Sequence, residues 1–230
     1  MRLCILDPDN DAQPFPDVEQ ALTEPNGLIA VGGCLSPRRL LNAYRHGVFP
    51  WFNPGEPILW WAPNPRLVIF PSQLKVSRSL NKTMRKQPFE ICFDRAFEQV
   101  IEACSAPREQ QSGTWITDDM KNAYINLHRL GAAHSVEAWQ GDRLVGGLYG
   151  IGIGQVFFGE SMFHRATDAS KIAFVHLARR LIDWNYQLID CQVSSDHLFT
   201  LGATEVPRRK FSALLHELCA QPPLSTAWQP

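Results

Sequence analysis

The sequence predicts an α/β chain, α+β in the order of its parts, with a small N-terminal domain and a larger C-terminal domain on a mixed sheet. Three observations carry this reading. Apolar stretches of period two at 155–163 and 186–193 flank a helix-period stretch at 170–184, and strand–helix–strand makes a parallel crossover unit. Upstream, 133–139, 144–151 and 155–163 alternate around a Gln140-Gly141-Asp142 turn and a glycine turn, which makes an antiparallel meander. Residues 1–35 are loop-rich and 50–65 dense in tryptophan and proline, and the pattern changes at Pro88, so the domains are placed at 1–87 and 88–230.

Taken in order, the first segment ends in a short apolar run, Gly27 to Val31, and Gly32-Gly33. Ser36-Pro37 starts a helix, with serine as the cap and proline in the first turn, and Gly47 suits its end just after Arg45. Three tryptophans and five prolines then fall within 50–65. Such a segment packs between irregular strands or offers a flat aromatic wall to a base, and both readings stay open. Ser77 to Lys86 forms a short helix carrying Arg78, Lys82 and Arg85, with no acidic residue from 73 to 89. This is a solvated basic face or a phosphate-binding one.

From Pro88 onwards the sequence predicts a strand at 89–93, a helix at 95–104 and a helix from Asp118 to Leu130. The meander, the crossover helix and the strand at 186–193 follow. Asp196 is expected to cap a short helix ending at Leu201-Gly202, and Pro207 to open a last helix to about Leu218. The crossover helix is apolar at Ile172, Val175, Leu177, Leu181 and Ile182.

With 45% hydrophobic and 20% charged residues, the 230-residue chain has the make-up of a globular protein with a sizeable core. A net charge of −1 argues against general coating of nucleic acid and leaves room for a local basic patch. The cysteines at 4, 34, 92, 104, 191 and 219 form no Cys-x-x-Cys pair, so neither a metal site nor a disulfide framework is expected. Reduced thiols fit a cytoplasmic protein. No signal-peptide core is visible, and the longest uncharged run, 144–159, is glycine-rich and alternating, so no membrane span is expected.

The chemistry is expected on the crossover unit. Regular alternation sets Asp190 and Gln192 on one face of their strand, and Phe158, Glu160 and Met162 on one face of theirs. A carboxylate and an amide in a strand this apolar need a reason. Either they face a cleft, or Asp190 caps a backbone group and Glu160 meets an arginine. Ser161, in Gly-Glu-Ser-Met-Phe, lacks the second glycine of a hydrolase nucleophile elbow.

The element order matches that of the GNAT-type acyltransferase fold, and Asp196-His197-Leu-Phe-Thr-Leu-Gly202-Ala203 resembles its helix-Leu-Gly ending. The turn 164–171, where that fold holds coenzyme A, contains no glycine, and Asp168 would repel phosphate. Another acyl donor is implied.

Over roughly 20–215 the chain resembles the leucyl/phenylalanyl-tRNA–protein transferases. The resemblance rests on Glu24-Pro25-Asn26-Gly27-Leu28, Leu35-Ser36-Pro37, Phe49-Pro50-Trp51-Phe52, Trp60-Trp61 and Gly113-Thr114-Trp115-Ile116-Thr117. It continues in His134-Ser135-Val136-Glu137, Gly159-Glu160-Ser161-Met162-Phe163, Ile189-Asp190-Cys191-Gln192-Val193 and Asp196-His197-Leu198. Cys34 stands where the family pattern has Asp, and Ser195 where it has Asn or Thr.

The resemblance implies transfer of Leu or Phe, and Met less well, from aminoacyl-tRNA to proteins with N-terminal Arg or Lys, marking them for degradation. A cytoplasmic monomer is expected, without cofactor or metal because an aminoacyl ester is already activated and no ligand spacing signals a metal. The resemblance puts Asp190 and Gln192 in the catalytic pair with Glu160 beside them, and the terminal adenosine near Trp51 and Trp115. Phe158 and Met162, with Ser161 between them, are expected to line the donor side-chain pocket, and Arg78, Lys82 and Arg85 to meet tRNA phosphates. Two other readings remain: an N-acyltransferase with a different activated donor, and a non-catalytic protein that binds the tRNA acceptor end.

Overall fold

The computed structural model describes residues 3–106 and 114–229. Gly113 of the Gly-Thr-Trp motif, and most of the polar loop before it, lie outside the described residues. The N-terminal part contains β1 (Cys4–Leu6), β2 (Leu28–Gly32), α1 (Pro37–Arg45), β3 (Phe49–Pro50) and β4 (Leu59–Trp61). Next come β5 (Arg66–Ile69), α2 (Arg78–Arg85), β6 (Glu90–Phe93), α3 (Phe97–Ser105) and α4 (Asp118–Arg129). The meander is β7 (Ala133–Gln140), β8 (Arg143–Ile153) and β9 (Val156–His164). It leads into α5 (Ala169–Asp183), β10 (Leu188–Gln192), α6 (Asp196–Thr200), β11 (Thr204–Val206) and α7 (Arg208–Leu218).

Local chemistry explains three of the helix starts. Ser36, Ser77 and Thr117 cap α1, α2 and α4 by accepting the N–H groups of Arg39, Leu80 and Met120. Gly47 ends the α1 turn at φ +73°, and a Cβ there would meet the Phe211 ring at 3.0 Å. The cap of α6 differs from expectation: Asp196 is its first helical residue and Ser195 holds the cap position without a side-chain bond.

Four strands form the small sheet in the order β1-β2-β4-β3, and seven form the large one in the order β11-β5-β10-β9-β8-β7-β6. The meander is antiparallel, and β9 and β10 pair in parallel across α5. The short strands β5 and β11 have no clear period in the sequence. By hydrogen bonding β5 belongs to the large sheet, well ahead of the division expected near 87.

One face of the large sheet is covered by α3 and α4 together with Leu40, Tyr44 and Trp60 of the N-terminal part. The other is covered by α5 through Ile172, Val175, Leu177 and Leu181. Ile182, expected on that apolar face, is 47% exposed. No helix among the described residues is long and apolar enough to cross a membrane.

Candidate active site

Glu160 stands at a β-bulge. Gly150 pairs with Gly159 and Tyr149 with Ser161, so Glu160 is the extra residue on β9. The bulge needs Gly150: a Cβ there would lie 2.2 Å from the Phe158 carbonyl oxygen and 2.6 Å from the Phe157 ring. One inserted residue reverses the alternation beyond it. Phe157 and Met162 therefore pack on the α5 side, while Phe158 is buried on the opposite face, its ring 5.2 Å from that of Tyr44. This corrects the expectation that Phe158, Glu160 and Met162 share a face.

A second irregularity lies in β10, where Asp190 pairs with Val68 but Gln192 with the adjacent Leu67, and Gln192 takes φ +64°. The Asp190 carboxylate is fully buried. It accepts the Nε–H of Arg66 at 2.8 Å and the Nη2–H at 2.6 Å, and it also accepts the backbone N–H of Gln192 at 2.9 Å. Arg66, also buried, lies over the rings of Phe49 at 4.8 Å and Phe211 at 4.7 Å. A bidentate pair held between aromatic faces fixes both charges in place.

Gln192 turns its side chain to the other carboxylate, its Nε2–H donating to Glu160 Oε1 at 2.8 Å. The Tyr124 hydroxyl donates to Glu160 Oε2 at 2.8 Å, and Tyr44 is hydrogen-bonded to Tyr124. Burial pushes the Glu160 carboxyl up to about 7, against the lowering effect of the tyrosine hydroxyls; Asp190 adds to the rise and Arg66 opposes it. Burial, with the nearby Glu160 charge, raises Tyr44 and Tyr124 well above the usual phenol value, so both stay protonated as donors.

These groups meet at a cleft of about 1030 Å³ lined by Trp115, Glu160, Ser161, Met162, Asp190 and Gln192. Leu148, Phe157, Phe174 and Ile189 give it an apolar part, and the turn from His164 to Lys171 borders it. Trp51 and Phe158 do not line it. Trp51 is 46% exposed and sits beside Trp61, whose Nε1–H donates to its carbonyl at 2.6 Å. Arg78, Lys82 and Arg85 are exposed on α2. Among the described residues no three His, Cys, Asp or Glu are grouped to hold a metal ion.

Three residues of this network have no role in the sequence reading, although Tyr44 lies in the family-like Ala43-Tyr44-Arg45: Arg66, Tyr44 and Tyr124. A signal for Arg66 was present. A lone cation opens the apolar run Arg66-Leu-Val-Ile69, and a lone carboxylate sits in the apolar β10. Two isolated opposite charges in buried strands require partners, and each is the other's.

Residues 68–216 match the family model described as leucyl/phenylalanyl-tRNA protein transferase, and residues 33–64 match the model of that family's N-terminal domain. A leucyl/phenylalanyl-tRNA–protein transferase of Nitrosomonas europaea is 60% identical over 94% of this chain and 91% of its own. A protein of the same name from Methylococcus capsulatus is 54% identical over 99% of this chain and 97% of its own. Among solved structures, a functionally unknown conserved protein from Staphylococcus epidermidis aligns over 78% of this chain and 68% of its own. Its TM-score of 0.43 at 12% identity is too slight a likeness to carry an argument.

Proposed function

The chain belongs to the leucyl/phenylalanyl-tRNA–protein transferase family and is an aminoacyltransferase, and we propose that it moves Leu or Phe, and Met less well, from aminoacyl-tRNA to proteins with N-terminal Arg or Lys. The transfer marks those proteins for degradation, and the enzyme works as a cytoplasmic monomer without cofactor. The observation that carries the mechanism is Glu160, a carboxylate at the head of the cleft held by Tyr124 and Gln192, with a pKa of about 7.

An aminoacyl ester is already activated, so the protein has to position two substrates and handle one proton. The attacking α-amine has a reference pKa of about 7.7–8.0, so roughly a tenth to a sixth is neutral at pH 7. As the amine nitrogen bonds to the ester carbonyl carbon, its proton passes to Glu160. When the bond to the ribose oxygen breaks, that oxygen takes the proton back, giving an amide and a free tRNA hydroxyl. A base with a pKa near the working pH suits this exchange.

Gln192 fixes the Glu160 rotamer. Asp190, buried in its pair with Arg66, acts behind it: the Arg66 pair holds Asp190, and Asp190 accepts the Gln192 backbone N–H in its left-handed turn. Trp115, which lines the cleft, stacks on the terminal adenosine, and Ser161 borders the ester; Trp51, expected beside the adenosine, lies outside the cleft lining. Arg78, Lys82 and Arg85 contact backbone phosphates.

The deciding assay charges tRNA with labelled Phe or Leu, adds a peptide beginning with Arg, and follows the label. Label in the peptide is expected. Label that stays on tRNA, or appears only as free amino acid, removes the transferase reading. Dependence on added acyl-coenzyme A would favour the other N-acyltransferase.

The apolar part of the cleft sets the donor. Leu148, Phe157, Met162 and Ile189 suit a side chain unbranched at Cβ. Isoleucine puts a methyl group at the pocket neck, a misfit of about 1–3 kcal/mol, or about 10–200-fold in kcat/KM. Equal kcat/KM values for Leu-tRNA and Ile-tRNA would remove this assignment.

A further inference from the structure

The geometry points to a further RNA contact on α5, which rests on the transferase reading above: His176 and Arg179 form the wall opposite Arg85 of a groove that holds the sugar–phosphate backbone of the donor tRNA. The groove encloses about 760 Å³, with Arg85 on the α2 side, His176 and Arg179 on the α5 side, and Met84, Phe89 and Ile172 among its apolar lining. His176 and Arg179 are three residues apart on a helix and so are neighbours on its surface. Burial and the nearby Arg179 charge lower the His176 pKa, as expected of two groups sharing one field.

The charge balance of the groove is one-sided. Its acidic residue, Glu90, lies 3.4 Å from Arg95. Arg180, next along the helix, lies instead over Phe93 at 5.7 Å and Trp184 at 5.6 Å. Among the described residues neither Arg85 nor Arg179 forms an ion pair, and both are exposed. On a chain of net charge −1, two uncompensated guanidiniums across a groove are a local feature suited to a polyanion.

Position selects RNA backbone over other anions. α5 borders both cavities, since Lys171 lines the cleft and its neighbour Ile172 lines the groove. Arg179 lies eight residues beyond Lys171, about 12 Å along the helix axis at 1.5 Å per residue. A donor whose reactive end occupies the cleft runs its backbone away from it, and this groove is the adjoining cationic channel.

The test uses the full chain with Arg179→Ala and with His176→Gln/Arg179→Ala, both at partly or fully exposed positions. Binding of fluorescent tRNA is measured from 50 to 200 mM salt, and transfer to an Arg-initiated peptide is measured with a minimal aminoacyl-adenosine donor. The expected result is weaker tRNA binding, with a salt slope shallower by about 0.7–0.9 per lost phosphate contact. Transfer from the minimal donor, which has no backbone to place in the groove, is expected to stay at the parent rate. An unchanged slope and affinity would overturn the proposal, and so would an equal loss with the minimal donor. The parent's own transfer from aminoacyl-tRNA, measured alongside, fails only if the transferase reading fails.

Discussion

Glu160→Gln is expected to lower single-turnover transfer by about 10²–10⁴-fold, the usual contribution of a positioned proton acceptor. The substitution keeps the size of the side chain and an oxygen for the Tyr124 hydroxyl, but it has no basic oxygen for the amine proton. Donor affinity should change little, because the apolar part of the cleft and Trp115 remain. The check is the rate of transfer from Phe-tRNA to an Arg-initiated peptide, with donor affinity determined on the same protein. A near-normal rate would make Glu160 a structural carboxylate of the bulge, and joint loss of donor binding would place it in the donor pocket.

Arg66→Met is expected to be the most damaging single change to stability. It leaves Asp190 buried and unpaired, which costs about 3–5 kcal/mol when one partner of a buried ion pair is removed. For a chain of this length that lowers Tm by on the order of 10 °C. The double variant Arg66→Met/Asp190→Leu removes both charges and should regain most of the loss, since apolar replacement of a buried pair is often neutral. Transfer should not return with it. Without Asp190 the Gln192 N–H loses the carboxylate that it donates to in the left-handed turn, so the amide no longer fixes Glu160. Full activity in the refolded double variant would reduce the pair to a packing device.

The sequence and the structure part company at two bulges. The crossover unit, the meander and the capped helices α1 and α2 were legible because periods of two and 3.6 and serine caps are local signals. A bulge is one residue wide and reverses the alternation beyond it. For that reason regular alternation puts Phe158 on the cleft face, which Phe157 occupies instead, and it leaves open the partner of the Gln192 amide, which is Glu160. Strand β5 was hidden for another reason: prolines crowd its N-terminal side, and its four residues have no alternation, being buried on both faces. The tyrosines of α1 and α4 were beyond reach, because only the packing of the N-terminal part against α4 brings Tyr44 and Tyr124 together over the bulge.

If Glu160 receives the proton, the pH dependence of single-turnover transfer carries its ionisation. Two ionisations govern the rate: the acceptor amine must be neutral and Glu160 must be charged. Below its pKa of about 7 the carboxyl is protonated and cannot act, so the rate should rise through that value as pH increases. Two Arg-initiated acceptors with different α-amine pKa values separate the limbs. One limb should move with the acceptor, and one should stay near pH 7 and be absent in Glu160→Gln. A single limb that follows the acceptor amine in both proteins would contradict this role of Glu160.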